Sequence, residues 1–204
     1  MRKIFAAIAL LIPFALNAQN DGILSAYASR LETNSISFKY SFEVKSDVTV
    51  TGKGSASLSG QSYHMDGNGM EIWCDGMTRW TLDRTSKEAY IESVDDESAD
   101  YLANPAVLLA GLDKAFNVKS VRNTTFKGES VKALDLVPVA EGTNIESAVL
   151  YVAGTTPRGA KMVIGDGTET IFHLSSFTWT PGVDKVYSFD VNTLDKEYLV
   201  TDLR

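Results

Sequence analysis

Two histidines, His64 and His173, and one cysteine, Cys74, are the side chains of this 204-residue chain best suited to nucleophilic or metal chemistry. Their surroundings support neither. A hydrolytic serine needs a Gly-x-Ser-x-Gly elbow and a histidine base held by a carboxylate, and no such elbow is present. Zinc ligands come in pairs a few residues apart, whereas Cys74, His64 and His173 are widely spaced. Trp73 and Asp75 flank the thiol and supply neither a base nor a cation to activate it, so Cys74 reads as a small buried apolar residue. Gly52-x-Gly54 and Gly67-x-Gly69 lack the third glycine and the following helix of a phosphate loop. Asp95, Asp96, Glu97 and Asp100 lack the spacing of a calcium loop and read as a solvated acidic stretch. No pair among the 26 acidic residues singles itself out for glycosidic cleavage. The chain is read as a non-enzyme with no metal and no cofactor.

Aromatic and methionine side chains at alternating positions are the conspicuous feature: Phe38, Tyr40, Phe42, Tyr63, Met65, Trp73, Trp80, Phe172, Phe177 and Trp179. Alternation places such residues on a single face of a strand. That face either fills an ordinary core or lines a cavity for an apolar ligand, and composition fits both.

The elements that must position these residues follow from the rest of the chain. A content of 44% hydrophobic and 22% charged residues predicts a globular fold with a sizeable core. With 19 basic against 26 acidic residues and no basic block, a phosphate backbone finds no landing strip, which excludes nucleic acid as a partner. Residues 1–18 have a basic start at Arg2 and Lys3, an apolar run from Ile4 to Leu16 and a small residue at Ala18, the pattern of a cleaved secretory signal. The run falls short of the roughly 20 residues of a membrane span. Loss of Arg2 and Lys3 with the leader takes the net charge from −7 to −9. No cysteine follows the leader to take a lipid anchor, and a lone cysteine forms no internal disulfide. A soluble exported protein is expected, with residues 19–204 as one domain.

Asn20 and Asp21 can cap a helix carrying Ile23, Leu24, Tyr27, Ala28 and Leu31 on one stripe. One strand, tightly curved by its small residues, is predicted from Ser35 through Ser59, with further strands over Ser62–Asp66, Gly69–Cys74, Thr78–Leu82 and Lys87–Glu92. Asn104-Pro105 starts a second helix, Pro105–Leu112, apolar around much of its circumference. Further strands are predicted at Lys132–Val137, Ser147–Ala153, Ala160–Ile164, Glu169–Leu174, Phe177–Trp179, Tyr187–Asp190 and Leu199–Leu203, with 155–159 and 165–167 as hairpin loops. About eleven antiparallel strands are too many for a flat sheet. A mainly β fold is expected: a strongly curved sheet or incomplete barrel, with helices over its concave face.

The segment Ile72-Trp73-Cys74-Asp75-Gly76-Met77-Thr78-Arg79-Trp80-Thr81-Leu82-Asp83 resembles a motif of the periplasmic outer-membrane lipoprotein carriers, the LolA-like family. The order of leader, amphipathic helix, Ser-Ile-Ser-Phe-x-Tyr strand, Asp-Gly-x-x-x-Trp hairpin, Asn-Pro-Ala-Val-Leu-Leu-Ala-Gly helix, Leu134-x-Leu136-x-Pro138 strand and closing Phe189-Asp190 extends the resemblance over most of the mature chain. The resemblance implies an eleven-stranded half barrel whose cavity binds the acyl chains of lipoproteins, or another lipid, non-covalently. It further implies a monomer in the periplasm of a Gram-negative bacterium, loaded by an inner-membrane ABC transporter complex and unloaded to an outer-membrane acceptor. Cavity residues are then Phe38, Tyr40, Phe42, Tyr63, Met65, Trp80, Phe172 and Trp179, and the lid residues are Leu102, Val107, Leu108, Leu109 and Leu112. Many members carry an Arg-Pro pair before the aromatic strand, with the arginine tying the lid shut. Here that place reads Ser59-Gly60-Gln61-Ser62, so a latch must be built differently. An exported lipid-binding, interaction or sensor module on the same half barrel is the alternative.

Overall fold

The alternating aromatics at Phe38, Tyr40 and Phe42 extend into β1 (Asn34–Lys45), the strand on which two meanders meet. One runs through β2 (Thr49–Ser59), β3 (Ser62–Gly67), β4 (Met70–Cys74), β5 (Thr78–Asp83) and β6 (Glu88–Ser93). The other runs through β7 (Phe116–Phe126), β8 (Glu129–Pro138), β9 (Ile145–Ala153), β10 (Thr156–Ile164) and β11 (Glu169–Pro181), and β11 pairs with β1. β12 (Leu199–Asp202) adds to β6 in parallel, whereas the other strand pairs among the described residues of this twelve-stranded sheet are antiparallel. The order is β12-β6-β5-β4-β3-β2-β1-β11-β10-β9-β8-β7, with β12 and β7 as edges, so the barrel is not closed. The structure, a computed structural model, describes residues 22–94 and 104–204. The expected leader, the caps Asn20 and Asp21, the acidic stretch from Asp95 to Asp100 and Leu102 lie outside the described residues.

Among the described residues, two α-helices pack on the sheet: α1 (Gly22–Leu31) and α2 (Pro105–Ala115). Asn104 caps α2 as its sequence predicts, its side chain accepting from the Ala106 and Val107 amides at 3.0 Å each, with Pro105 in the first turn. No helix among the described residues is long and apolar enough to cross a membrane. α2 contacts both β2 and β7, which stand six places apart in the sheet. Laid flat, that separation would be about 29 Å at a spacing of ~4.8 Å per strand. A helix is only about 10 Å across. The sheet therefore curls around α2.

Glycines help it curl. Gly54 and Gly52 stand opposite Tyr40 and Phe42, whose rings lie so close over them that an added Cβ would come within 2.7 and 2.5 Å of ring atoms. The missing side chains make room for aromatic cover from the neighbouring strand.

Five expectations are corrected. The single strand expected from Ser35 through Ser59 is two, β1 and β2, which turn back over residues 46–48 and pair antiparallel with Val44 opposite Val50. β7 was not foreseen, because Val118 and Ser120 pair with consecutive residues Leu136 and Asp135 and leave Lys119 as a bulge that breaks the alternation. The two strands expected at Glu169–Leu174 and Phe177–Trp179 are one, interrupted by a bulge whose Ser176 has φ 51°. Residues 156–159, expected in a loop, belong to β10, where Arg158 is the extra residue between the Pro157 and Gly159 pairings. Tyr187–Asp190 is not a strand: the Tyr187 amide donates to the Ser62 hydroxyl at 2.6 Å rather than to a ladder.

Candidate functional site

Cross-strand partners share a face of a sheet, so the register sorts every side chain in this one. On the face toward the helices lie Ile36, Phe38 and Tyr40 of β1, Ala56 and Leu58 of β2, and Tyr63 and Met65 of β3. Leu134, Leu150, Met162, Phe172 and Leu174 extend this apolar surface across β8 to β11. Against it α1 sets Leu24, Tyr27 and Leu31, and α2 sets Ala106, Leu108, Leu109 and Leu112, at the spacings that put residues on one helical stripe. The result is a continuous apolar concave face roofed by two helices. It is closed: Leu58 and Leu134 are 0% exposed and Leu109 is 1% exposed.

Of the residues expected in a cavity, Phe38, Tyr40, Tyr63, Met65 and Phe172 are brought together here and buried. Phe42 and Trp179 are half-buried at its margin. In the roof, Leu108, Leu109 and Leu112 are buried and Val107 is half-buried against them. Trp80 is elsewhere. It stands opposite Trp73 and Ile91, while its neighbour Arg79 stands opposite Cys74 on the concave side. The expectation that Trp80 lines the interior is corrected by this register. Cys74 does face inward, beside Tyr63; burial pushes its thiol pKa up, opposed in part by the Gly76 amide at 3.3 Å.

A buried hydrogen bond ties the two roof helices to each other. The Tyr27 hydroxyl on α1 donates to the Leu109 carbonyl on α2 at 3.0 Å, and burial raises the Tyr27 pKa well above the ordinary phenol. The same ring meets Trp179 edge-on at 5.7 Å, and the Arg30 guanidinium sits 4.2 Å above Trp179. A further polar group gathers around Tyr63. Burial pushes Tyr63 up to about 12, offset in part by hydrogen bonding to Arg79 and to the cap residue Asn104. Arg79 is itself anchored to Glu92 through Nε and Nη2, at 3.0 and 2.9 Å. Arg79 thus brings an arginine from β5 to the concave side, opposite Cys74. Sequence reading missed Arg79 because it sits inside the Asp-Gly-x-x-x-Trp motif, where attention falls on the tryptophan.

The opposite face carries a second, smaller cluster. His64 stacks on Trp73 with ring centroids 3.9 Å apart and meets Glu71 Oε1 at 2.9 Å. Arg84 bridges Asp66 at 3.1 Å and Glu71 at 2.6 Å. Tyr187 and Phe189, from the C-terminal segment, lie against His64 and Trp73. His173 is also on the outer face, near Phe126, so the two histidines and Cys74 do not converge.

Two grooves adjoin the closed interior. One, of about 470 Å³, is lined by Phe42, Gly52, Asn68, Lys127 and His173. The other, of about 520 Å³, runs between the first turns of α1 and the ends of β7, β8 and β9.

No family profile and no curated protein matches this chain. Among solved structures, an uncharacterized conserved protein from Thermus thermophilus is similar at 12% identity and a TM-score of 0.54, over 91% of this chain and 98% of that one. A LolA superfamily protein from Nitrosomonas europaea overlaps at 13% identity and a TM-score of 0.41, over 91% and 100%. LprF from Mycobacterium bovis overlaps at 10% identity and a TM-score of 0.41, over 84% and 98%. At such identities the likeness is one of fold: a mainly antiparallel, unclosed sheet wrapped around two helices.

Proposed function

We propose that the protein is a periplasmic carrier that takes the acyl chains of lipoproteins, or of another lipid, against the concave face of the sheet after the helices lift. The observation that carries this reading is the continuous apolar surface beneath a roof tied by few polar contacts. The magnitudes are consistent with exchange. Lifting Leu108, Leu109 and Leu112 from the sheet costs about 1.5–3 kcal/mol each. Burying a long acyl chain contributes about 0.8 kcal/mol per methylene, on the order of 12 kcal/mol in all. A long chain therefore offsets the opening and a short one does not. Such transfer needs no covalent step. Loading by an inner-membrane ABC transporter complex and delivery to an outer-membrane acceptor complete the proposal, with the carrier acting as a monomer.

Native mass spectrometry of the exported protein, purified from a periplasm without detergent, tests it. An adduct with the mass of a phospholipid, or a complex with an acylated protein, is expected. A clean unliganded mass after co-expression with a lipoprotein would sink the carrier reading. The filled interior favours a second reading, an interaction or sensor module whose barrel is packed by its own side chains. A stable protein partner in pull-down, with no lipid, is its signature.

A further inference from the structure

We infer that the groove between α1 and the ends of β7, β8 and β9 is a binding site for a single-chain amphiphile with an anionic head, and the mouth through which such a chain reaches the interior. The inference rests on the carrier reading and places the ligand's way in. Ile23 and Ala26 form one wall. Val152 forms part of the floor, and it is 2% exposed and belongs to the concave core, so the groove is continuous with the surface under the helices. Lys132 stands opposite both Val152 and Asn123 in the register, which puts its side chain on that same concave face, at the rim.

Charge selects the head group. No carboxylate is found among the described residues that line the groove, although acidic residues outnumber basic ones 26 to 19 in the chain. Lys132 is exposed and makes no ion pair among the described residues. Arg30 reaches the same rim, its Nη1 donating to Thr155 at 3.3 Å while the guanidinium rests on Trp179; it too has no acidic partner among the described residues. Two cations free of carboxylates above an apolar floor match a carboxylate or a phosphate on a hydrocarbon tail.

The test uses the exported protein with three probes carrying a photoreactive group at the tail end: hexadecanoic acid, hexadecyl phosphate and hexadecanol. Ala26 is an exposed helix residue, so Ala26→Trp fills the groove without touching the core. Cross-links to the first turns of α1 and to β8–β9 are expected, with binding of all three probes about tenfold weaker in Ala26→Trp. Lys132→Glu should weaken the two anionic probes about fivefold and leave the alcohol unchanged. The acid and the phosphate, compared side by side, separate a fatty-acid from a phospholipid-like head. Cross-links confined to residues beneath α2, with wild-type affinity in Ala26→Trp, would overturn the groove and leave the carrier reading standing. Equal binding of acid and alcohol whatever stands at 132 would overturn the charged head. Failure of the unmutated protein to take up any chain would overturn both.

Discussion

The two faces of the sheet solve the same problem with different chemistry. The concave face is roofed by α1 and α2, and its contacts are almost all between aliphatic and aromatic groups. The outer face at β3 and β4 is covered by Tyr187 and Phe189 from the C-terminal segment, and its contacts mix rings with ion pairs among His64, Asp66, Glu71 and Arg84. Apolar contact is non-directional, so moving the roof against the sheet breaks few particular partners. Ion pairs and ring stacks are directional, and lifting the outer cover breaks particular partners. The concave face is thus held mainly by apolar contact and the outer face by particular partners.

A charge placed on the roof breaks this contrast most severely. Leu109→Asp puts a carboxylate at a 1% exposed position and should cost about 4 kcal/mol or more, read as a collapse of the urea midpoint. Leu58→Ala, at a fully buried site of β2, should cost about 2–5 kcal/mol. The outer cover should yield less: Tyr187→Ala is expected to cost about 1–3 kcal/mol, with faster amide exchange confined to the C-terminal segment and β6. A loss as large as that of Leu58→Ala would show the outer segment to be as integral as the roof. Tyr27→Phe removes one donor from the Leu109 carbonyl, for about 1 kcal/mol. Its signature is accelerated amide exchange in α2.

The smallest effect is on pH dependence. Hydrogen bonds from Arg84 hold the Asp66 carboxyl below the ordinary carboxylate range. A depressed carboxylate contributes stability that is complete above its unfolded value and is lost as pH falls through its folded one. Asp66 is 44% exposed, so solvent screening keeps the contribution under about 1 kcal/mol. Melting temperatures followed from neutral to acid should fall less steeply in Asp66→Asn than in the parent, and parallel curves would remove Asp66 from the account.

Much of the fold was legible along the chain, because helical caps and two-residue alternation are local. Asn104-Pro105 marked the start of α2, and Phe38, Tyr40 and Phe42 marked β1. Where a bulge intervened the signal failed, as at Lys119 in β7 and Ser176 in β11. An extra residue flips the alternation mid-strand, so the apolar positions no longer fall on one parity. Tyr187 and Phe189 alternate like a strand, yet they serve as ring contacts for another strand's outer face.

By itself, then, the sequence determined that alternating apolar sets exist, where α2 starts, and that a long antiparallel meander must curl. Tertiary structure decided which set faces which side. Trp80 and Leu82 alternate as convincingly as Tyr63 and Met65, but pairing with Trp73 and Ala89 turns them outward and turns Arg79 in toward Tyr63 and the cap of α2. A period of two distinguishes two faces and is silent on which is the inside. That choice is made by pairing with neighbours and by which helix or segment arrives to cover each face.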